Sequence, residues 1–357
     1  MYIKRITLKN FRNYSQQDVE IGDKINVFYG DNAQGKTNLL EAVFLCAMGK
    51  SFRAKKEFEL IQKQKEVAKI ELEYQKKDRE GKIELTITQK KEVLINGVKI
   101  KKLSELLGNI HVILFSPEDI EIVKDGPQRR RRFLNMMISQ LRPNYLYQLN
   151  KYQKTIEQRN NLLREIKSGK SQESFLEIWD EKLVEHGIII ARYRKEFLEK
   201  LQEKILPIHT EITEGQEKIK LIYETDSLQE ENFLEKLKKN RKLDILRGYT
   251  TKGIHRDEIK ILLNGEEISI FGSQGQQRTA VLSLKIAELE VVKEEIEEEP
   301  ILLLDDFMSE LDEKRRKRFL SNITETQVLI TGTHQITLEN LEYNVYNVKS
   351  GKIERKE

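Results

Sequence analysis

A single cysteine in 357 residues excludes a disulfide framework. Cys46 lies on the apolar face of an expected helix, which gives it a buried structural role rather than redox or metal chemistry. No apolar run approaches the ~20 residues that a membrane-crossing helix needs. Met1-Tyr2-Ile3-Lys4-Arg5 opens into a strand pattern without a signal-peptide profile, so a cytoplasmic protein with no membrane partner is expected. An excess of one charge sign is missing too: at +4 the balance decides nothing about nucleic acid, and a basic surface has to be sought locally. There is no internal repeat and no long low-complexity linker. The chain instead has length, enough for two domains or one with a large insertion. It also has charge, at 34% of residues, which leaves little surface for a membrane.

The most informative stretch is Gly30-Asp31-Asn32-Ala33-Gln34-Gly35-Lys36-Thr37. It follows the apolar, β-branched run Ile25-Asn26-Val27-Phe28-Tyr29 and precedes Asn38-Leu39-Leu40-Glu41-Ala42-Val43-Phe44-Leu45, which reads as a buried helix. Strand, glycine loop, helix is the setting of a P-loop. Such a loop curls so that successive backbone N–H groups point at phosphate oxygens, and glycine at 30 and 35 leaves room for that approach. Lys36 then reaches the β- and γ-phosphates and Thr37 ligates Mg²⁺. The following helix turns its positive end toward the same anion.

Alternation at Tyr2 to Leu8, then in segments 67–74, 83–88 and 93–95 with an Asn96-Gly97 hairpin turn, predicts an antiparallel sheet with one wet face. The apolar strand under the P-loop belongs to a second, buried kind of sheet. From about residue 116 the period changes. Leu141, Tyr145, Leu149, Tyr152, Ile156 and Leu163 recur at helical spacing, as do Phe175, Trp179, Leu183, His186, Ile190, Tyr193, Phe197 and Leu201. These predict an antiparallel helical hairpin, with His186 as a packed core residue. Residues 116–249 are expected to form a helical lobe inserted between 1–115 and 250–357, which together make a discontinuous α/β lobe. The charge run from Glu288 to Glu299 is expected as the exposed end of a helix.

Three further stations answer the P-loop. Ile301-Leu302-Leu303-Leu304-Asp305-Asp306 reads as a buried parallel strand whose C-terminal edge faces the nucleotide. Asp305 is expected to hold Mg²⁺ through water, and Asp306 to polarise the attacking water. A further buried strand, Val328 to Gly332, delivers His334 as a γ-phosphate sensor, so that Lys36, Asp306 and His334 form the candidate catalytic set. Finally, Ser273-Gln274-Gly275-Gln276-Gln277-Arg278 leads into an amphipathic helix, where the Ser273 hydroxyl and the Gly275 N–H make a second anion site.

The segments GDNAQGKT, SQGQQR, LLLDD, SELD (Ser309-Glu310-Leu311-Asp312) and TGTH together resemble the ABC-type ATPases of the SMC class. Residues Ile6 to Tyr14, Ser116 to Asp119, Gly126 to Leu134 and Gly253 to Asp257 resemble the RecF family of bacterial recombination mediators, over essentially the whole chain. The resemblance implies an α/β fold, an ABC-type P-loop ATPase head with mixed sheets and an inserted helical lobe. It implies ATP with Mg²⁺ as cofactors, held by Gly30, Asp31, Asn32, Ala33, Gln34, Gly35, Lys36, Thr37, Asn38 and Arg12. It further implies an ATP-dependent homodimer in which Ser273, Gln274, Gly275 and Gln276 act in trans, and slow, DNA-stimulated hydrolysis. The implied partners are single-stranded, duplex and gapped DNA, with RecR and RecO. The implied roles are recombinase loading, DNA repair, replication restart and SOS induction. Asp306 stands where ABC ATPases generally carry glutamate, Ile254 where RecF proteins usually carry proline, and Glu118 or Asp119 at the position of a Q-loop glutamine.

Arg129, Arg130, Arg131 and Arg132 form the most concentrated positive block, expected just before a helix. They either contact DNA phosphates or pair with the abundant glutamates. Lys238, Lys239, Arg241 and Lys242 are a second candidate, whereas Lys50 to Lys56 reads as a solvated connection. Two other classes fit a P-loop: an ABC-like subunit of a non-DNA machine, and a small-molecule kinase. The kinase reading leaves the Ser273 loop and the helical hairpin without a purpose.

Overall fold

In a computed structural model, which describes residues 1–77, 79–307, 319, 325–334 and 341–356, the N-terminal alternation becomes a sheet. The elements of the first stretch are β1 (Tyr2–Phe11), β2 (Tyr14–Glu20), β3 (Ile25–Tyr29), α1 (Lys36–Met48), β4 (Ala68–Lys76), β5 (Arg79–Ile87), β6 (Lys91–Ile95), β7 (Val98–Lys99) and β8 (Val112–Phe115). A six-stranded antiparallel sheet runs in the order β2-β1-β4-β5-β6-β7. On β4 the residues Ala68, Ile70, Leu72 and Tyr74 are buried while Lys69 and Glu73 are exposed, the one-faced burial that period-two alternation dictates. Asn96 and Gly97, with φ of 51° and 77°, close the β6–β7 turn.

The next stretch contains α2 (Ile120–Lys124), α3 (Pro127–Leu141), α4 (Pro143–Lys167), α5 (Leu176–Ile212), β9 (Ile219–Glu224), α6 (Glu230–Arg247), β10 (Glu258–Leu263), β11 (Glu266–Glu267), α7 (Ile268–Phe271) and α8 (Gln274–Ile296). The chain ends with β12 (Ile301–Leu304), β13 (Val328–Gly332), β14 (Tyr343–Lys349) and β15 (Lys352–Lys356). A second six-stranded sheet, β15-β14-β3-β13-β12-β8, is parallel throughout except for β15. Every residue of β8, β12 and β13 is buried, as strands covered on both faces require. Gln327 joins the two sheets: it accepts from Ile3 N at 2.7 Å and donates to Ile3 O at 2.8 Å and Gly22 O at 2.6 Å.

The chain divides into one unit of Met1–Asp119 with Val292–Glu357 and another of Ile120–Val291. Residues 250–291, expected with the α/β lobe, cluster with the helices because β10 pairs antiparallel with β9 along its whole length. In the second unit α4 and α5 form the expected hairpin, with Tyr145, Leu149, Tyr152, Leu163, Leu183, Ile190, Phe197 and Leu201 buried. Phe175 departs from that pattern. It ends a 3₁₀ turn before α5 and is 54% exposed, and Leu176 takes the buried place instead. His186 is half-buried and its Nδ1 lies 2.9 Å from Gln148 Oε1. Glu288 was expected exposed; it is 5% exposed and paired with Lys285.

The helical seam also buries charges that its apolar periodicity does not reveal. Arg159, with no exposed surface, meets Asp180 and Asp244 at 2.7 Å each and Thr250 at 2.9 Å. Arg194 donates to Ile254 O at 2.7 Å and Asn135 Oδ1 at 3.0 Å, with Asp257 at 3.5 Å. His255 donates from Nε2 to Thr250 O at 3.1 Å, a group that only accepts, so Nδ1 is left to accept from Tyr152 OH at 2.9 Å. Burial drives its pKa down to about 4 and keeps the ring neutral.

Candidate nucleotide-binding site

The C-terminal ends of β3, β13 and β12, three neighbours in the parallel sheet, carry the P-loop, His334 and Asp305 respectively. This is the edge at which parallel α/β sheets receive ligands. Within the loop Lys36 Nζ donates to Gly30 O at 2.6 Å and Asp31 O at 2.8 Å. Among the described residues, the N–H groups of 31–35 have no acceptor in the chain, so the loop offers a set of donors to an anion.

The two glycines are required from behind as well as in front. A Cβ on Gly30 would stand 2.1 Å from Val348 O. One on Gly35, at φ 123°, would stand 2.8 Å from the Asn13 amide and 2.9 Å from Tyr14 OH. Those neighbours brace the loop: Asn13 Nδ2 donates to Gln34 O at 2.7 Å, Tyr14 OH to Gly35 O at 2.9 Å, and Gly351 N to Gln34 O at 3.0 Å. Asn38 Nδ2 reaches Asn13 Oδ1 at 2.8 Å, so this candidate nucleotide contact is engaged in the same brace.

Thr37 Oγ1 donates to Asp305 Oδ1 at 2.7 Å, and Thr331 Oγ1 donates to the same oxygen at 2.9 Å. A hydroxyl and a carboxylate side by side are the hard oxygen donors that suit Mg²⁺. Burial raises the Asp305 pKa, the hydrogen bonds from Thr37 and Thr331 oppose this, and the Asp306 charge adds to it. Asp306 follows at φ 48°, held by its own N–H to Thr331 Oγ1 at 3.0 Å. His334 is exposed just beyond β13. Ser309 to Asp312 lie outside the described residues.

Arg12 sits apart from the loop's own hydrogen bonds. Its guanidinium holds Glu41 at 2.7 and 2.8 Å and donates to Glu59 O at 2.7 Å, and Glu41 is completely buried on α1. The fork of Arg12 is thus the countercharge of a buried carboxylate that helical periodicity alone could not flag. Thr331 and the Asn13-Tyr14 brace are further site residues that sequence reasoning missed. Both lie inside segments that carry the resemblance, TGTH and Ile6 to Tyr14, and membership of those segments was their only signal.

In the second unit, Ser273 caps α8 through a reciprocal box. Gln276 N donates to Ser273 Oγ at 3.2 Å and Ser273 N to Gln276 Oε1 at 2.8 Å. Ser273, Gln274 and Gly275 are exposed, and a Cβ on Gly275 would meet nothing closer than Ser273 Oγ at 3.9 Å. The four arginines lie inside the first turns of α3 rather than before it, because Pro127 fits the start of a helix. Arg130 is 5% exposed and grips Glu258 at 3.0 Å, and Arg131 donates to Asp257 O at 2.5 Å. Arg129 is exposed with Glu121 at 2.5 Å, and Arg132 is exposed.

A P-loop strand, an acidic parallel strand and a capped glycine helix in one chain define the class: the ABC-type ATPase head of SMC proteins. The model of the RecF/RecN/SMC N-terminal domain matches residues 2–354. Within that class the chain belongs to the RecF family of DNA replication and repair proteins. The RecF protein of Halothermothrix orenii is 46% identical over 371 residues, covering 99% of both chains. That of Lachnoclostridium phytofermentans is 42% identical, covering 99% of this chain and 100% of that one. A solved structure of the recombination mediator protein RecF with ATP, in the RecFOR pathway, superposes with a TM-score of 0.93 at 40% identity. It covers 100% of this chain and 98% of the other.

Proposed function

We propose that the chain is an ATP-gated DNA-binding protein whose nucleotide site is completed by a second copy of itself. ATP sits on the P-loop, with the N–H groups of 31–35 and Lys36 on its phosphates. Thr37 and Asp305 would hold Mg²⁺, which when bound neutralises phosphate charge. Asp306 orients the attacking water and His334 faces the γ-phosphate. The observation that carries the dimer is Gly275. Among the described residues nothing needs a glycine there, while an anion brought against the start of α8 from outside would. The exposed Ile270 and Phe271, 68% and 66% accessible beside that loop, fit a face that a second copy covers.

ATP binding the closed pair more tightly than the single chain shifts the balance toward dimer, and slow hydrolysis resets it. On this reading the dimer binds single-stranded, duplex or gapped DNA through phosphate contacts and works with RecR and RecO to load recombinase. Repair, replication restart and SOS induction follow from that activity. Arg129, which pairs with Glu121, and Arg132 are the exposed members of the α3 block and the ones placed to meet phosphates, whereas Arg130 and Arg131 serve the fold. Sedimentation with a non-hydrolysable ATP analogue tests the core of the proposal: Ser273→Arg should bind the analogue and stay monomeric. Dimerisation at the wild-type level would end the trans reading. Analogue-dependent binding to single-stranded, duplex and gapped DNA then tests the DNA arm.

A further inference from the structure

The Ser273 loop is held by more than its own box. Gln276, which accepts from Ser273 N through Oε1, donates from Nε2 to Glu217 Oε1 at 2.9 Å. Glu217 turns its other oxygen to His209 Nε2 at 3.3 Å, an ion-pair contact off the hydrogen-bond line. His209, fully buried in the last turn of α5, has its Nδ1 2.9 Å from Ser283 Oγ on α8. A continuous run of polar contacts therefore leads from the middle of α8, through a buried imidazole, back to the loop where α8 begins.

Donor and acceptor chemistry gives this run a direction. A carboxylate only accepts, so Gln276 must present its NH₂ to Glu217, which leaves its carbonyl oxygen for Ser273 N. Ser273 Oγ then accepts from Gln276 N, and the hydroxyl proton is left to point away from the box. Burial lowers the pKa of His209 while Glu217 raises it. Ser283 Oγ gives its single proton to Thr279 O at 2.9 Å, so it accepts from His209 Nδ1–H, and Nε2 meets Glu217 only as the close contact off the hydrogen-bond line.

We infer that His209 and Glu217 are positioning residues for the Ser273 loop: they lock the Gln276 amide so that the Ser273 hydroxyl and the Gly275 N–H face an incoming triphosphate. The inference rests on the trans reading of Ser273 and deepens it. Neither residue touches nucleotide; both act through Gln276.

The test uses the full chain, with sedimentation in a non-hydrolysable ATP analogue and analogue binding measured at concentrations where the chain is monomeric. Glu217→Ala should weaken dimerisation about tenfold, the loss of one charge-assisted hydrogen bond, with monomer affinity and melting temperature unchanged. Gln276→Glu sets two carboxylates against each other and should weaken it further. Adding Glu217→Gln to that variant restores the polarity with partners exchanged and should recover at least about tenfold. Failure of the exchange to rescue, or wild-type dimerisation by Glu217→Ala while Ser273→Arg stays monomeric, overturns the relay and leaves the trans reading standing. Wild-type dimerisation by Ser273→Arg removes the trans reading itself.

Discussion

In the second unit Arg159 is buried against Asp180 and Asp244, and each of those carboxylates has both oxygens engaged, by Arg159, Arg241 and the Thr251 N–H and hydroxyl. In the first unit Lys36 and Asp305 are nearly as buried, at 4% and 6% exposure, yet their partners are neutral: two loop carbonyls for Lys36, two threonine hydroxyls for Asp305. A buried charge closed by opposite charge is fixed in place, and breaking the set leaves an uncompensated ion. A buried charge held by weak neutral partners keeps its field for a ligand. The contrast separates groups that hold the fold from groups proposed to meet the nucleotide.

The largest effect should come from breaking the closed set. Arg159→Ala leaves Asp244 with no countercharge and Asp180 with Arg241 alone, and is expected to cost about 3–5 kcal/mol in urea unfolding. A loss under about 1 kcal/mol would mean that the network is not the structural lock it resembles.

Next comes the neutral histidine beside it. The folded His255 pKa of about 4 lies below the ordinary value of 6.5, so the unfolded chain takes up the proton first as pH falls. Its stabilising contribution is present above pH 6.5 and is lost progressively down to pH 4, a change of up to about 3 kcal/mol. Stability against pH for wild type minus His255→Gln should show that slope, and a flat difference would contradict it.

The smallest stability effect should come from the open site. Asp305→Asn relieves the penalty of a buried charge beside Asp306 and should leave the melting temperature unchanged or slightly higher. ATP hydrolysis should nevertheless fall about a hundredfold, as expected for loss of one electrostatic anchor of the transition state. A large drop in stability would place Asp305 with the closed set.

The same contrast governs how much the sequence revealed. Phosphate chemistry fixes residue types at fixed spacing, so the P-loop, the Asp305 strand and the Ser273 cap were legible, and the two kinds of sheet followed from one-faced against two-faced apolar patterns. Arg159, Asp180 and Arg194 were not, because a polar residue on a helix reads as solvated until its partners from other elements are known. Arg12 was named as a nucleotide contact, but its pairing with the buried Glu41 escaped for the same reason. β9 was hidden because its pairing partner lies beyond α6, and Phe175 misled because apolar spacing continues through a turn that rotates it outward.

The most direct test mixes two defective variants. Lys36→Ala lacks a working P-loop and Ser273→Arg a working cap, so a mixed pair holds one site built wholly from intact halves. Neither variant alone should hydrolyse ATP, and an equimolar mixture should recover a substantial part of the wild-type rate. A mixture no more active than its separate components would contradict a nucleotide site shared between two copies.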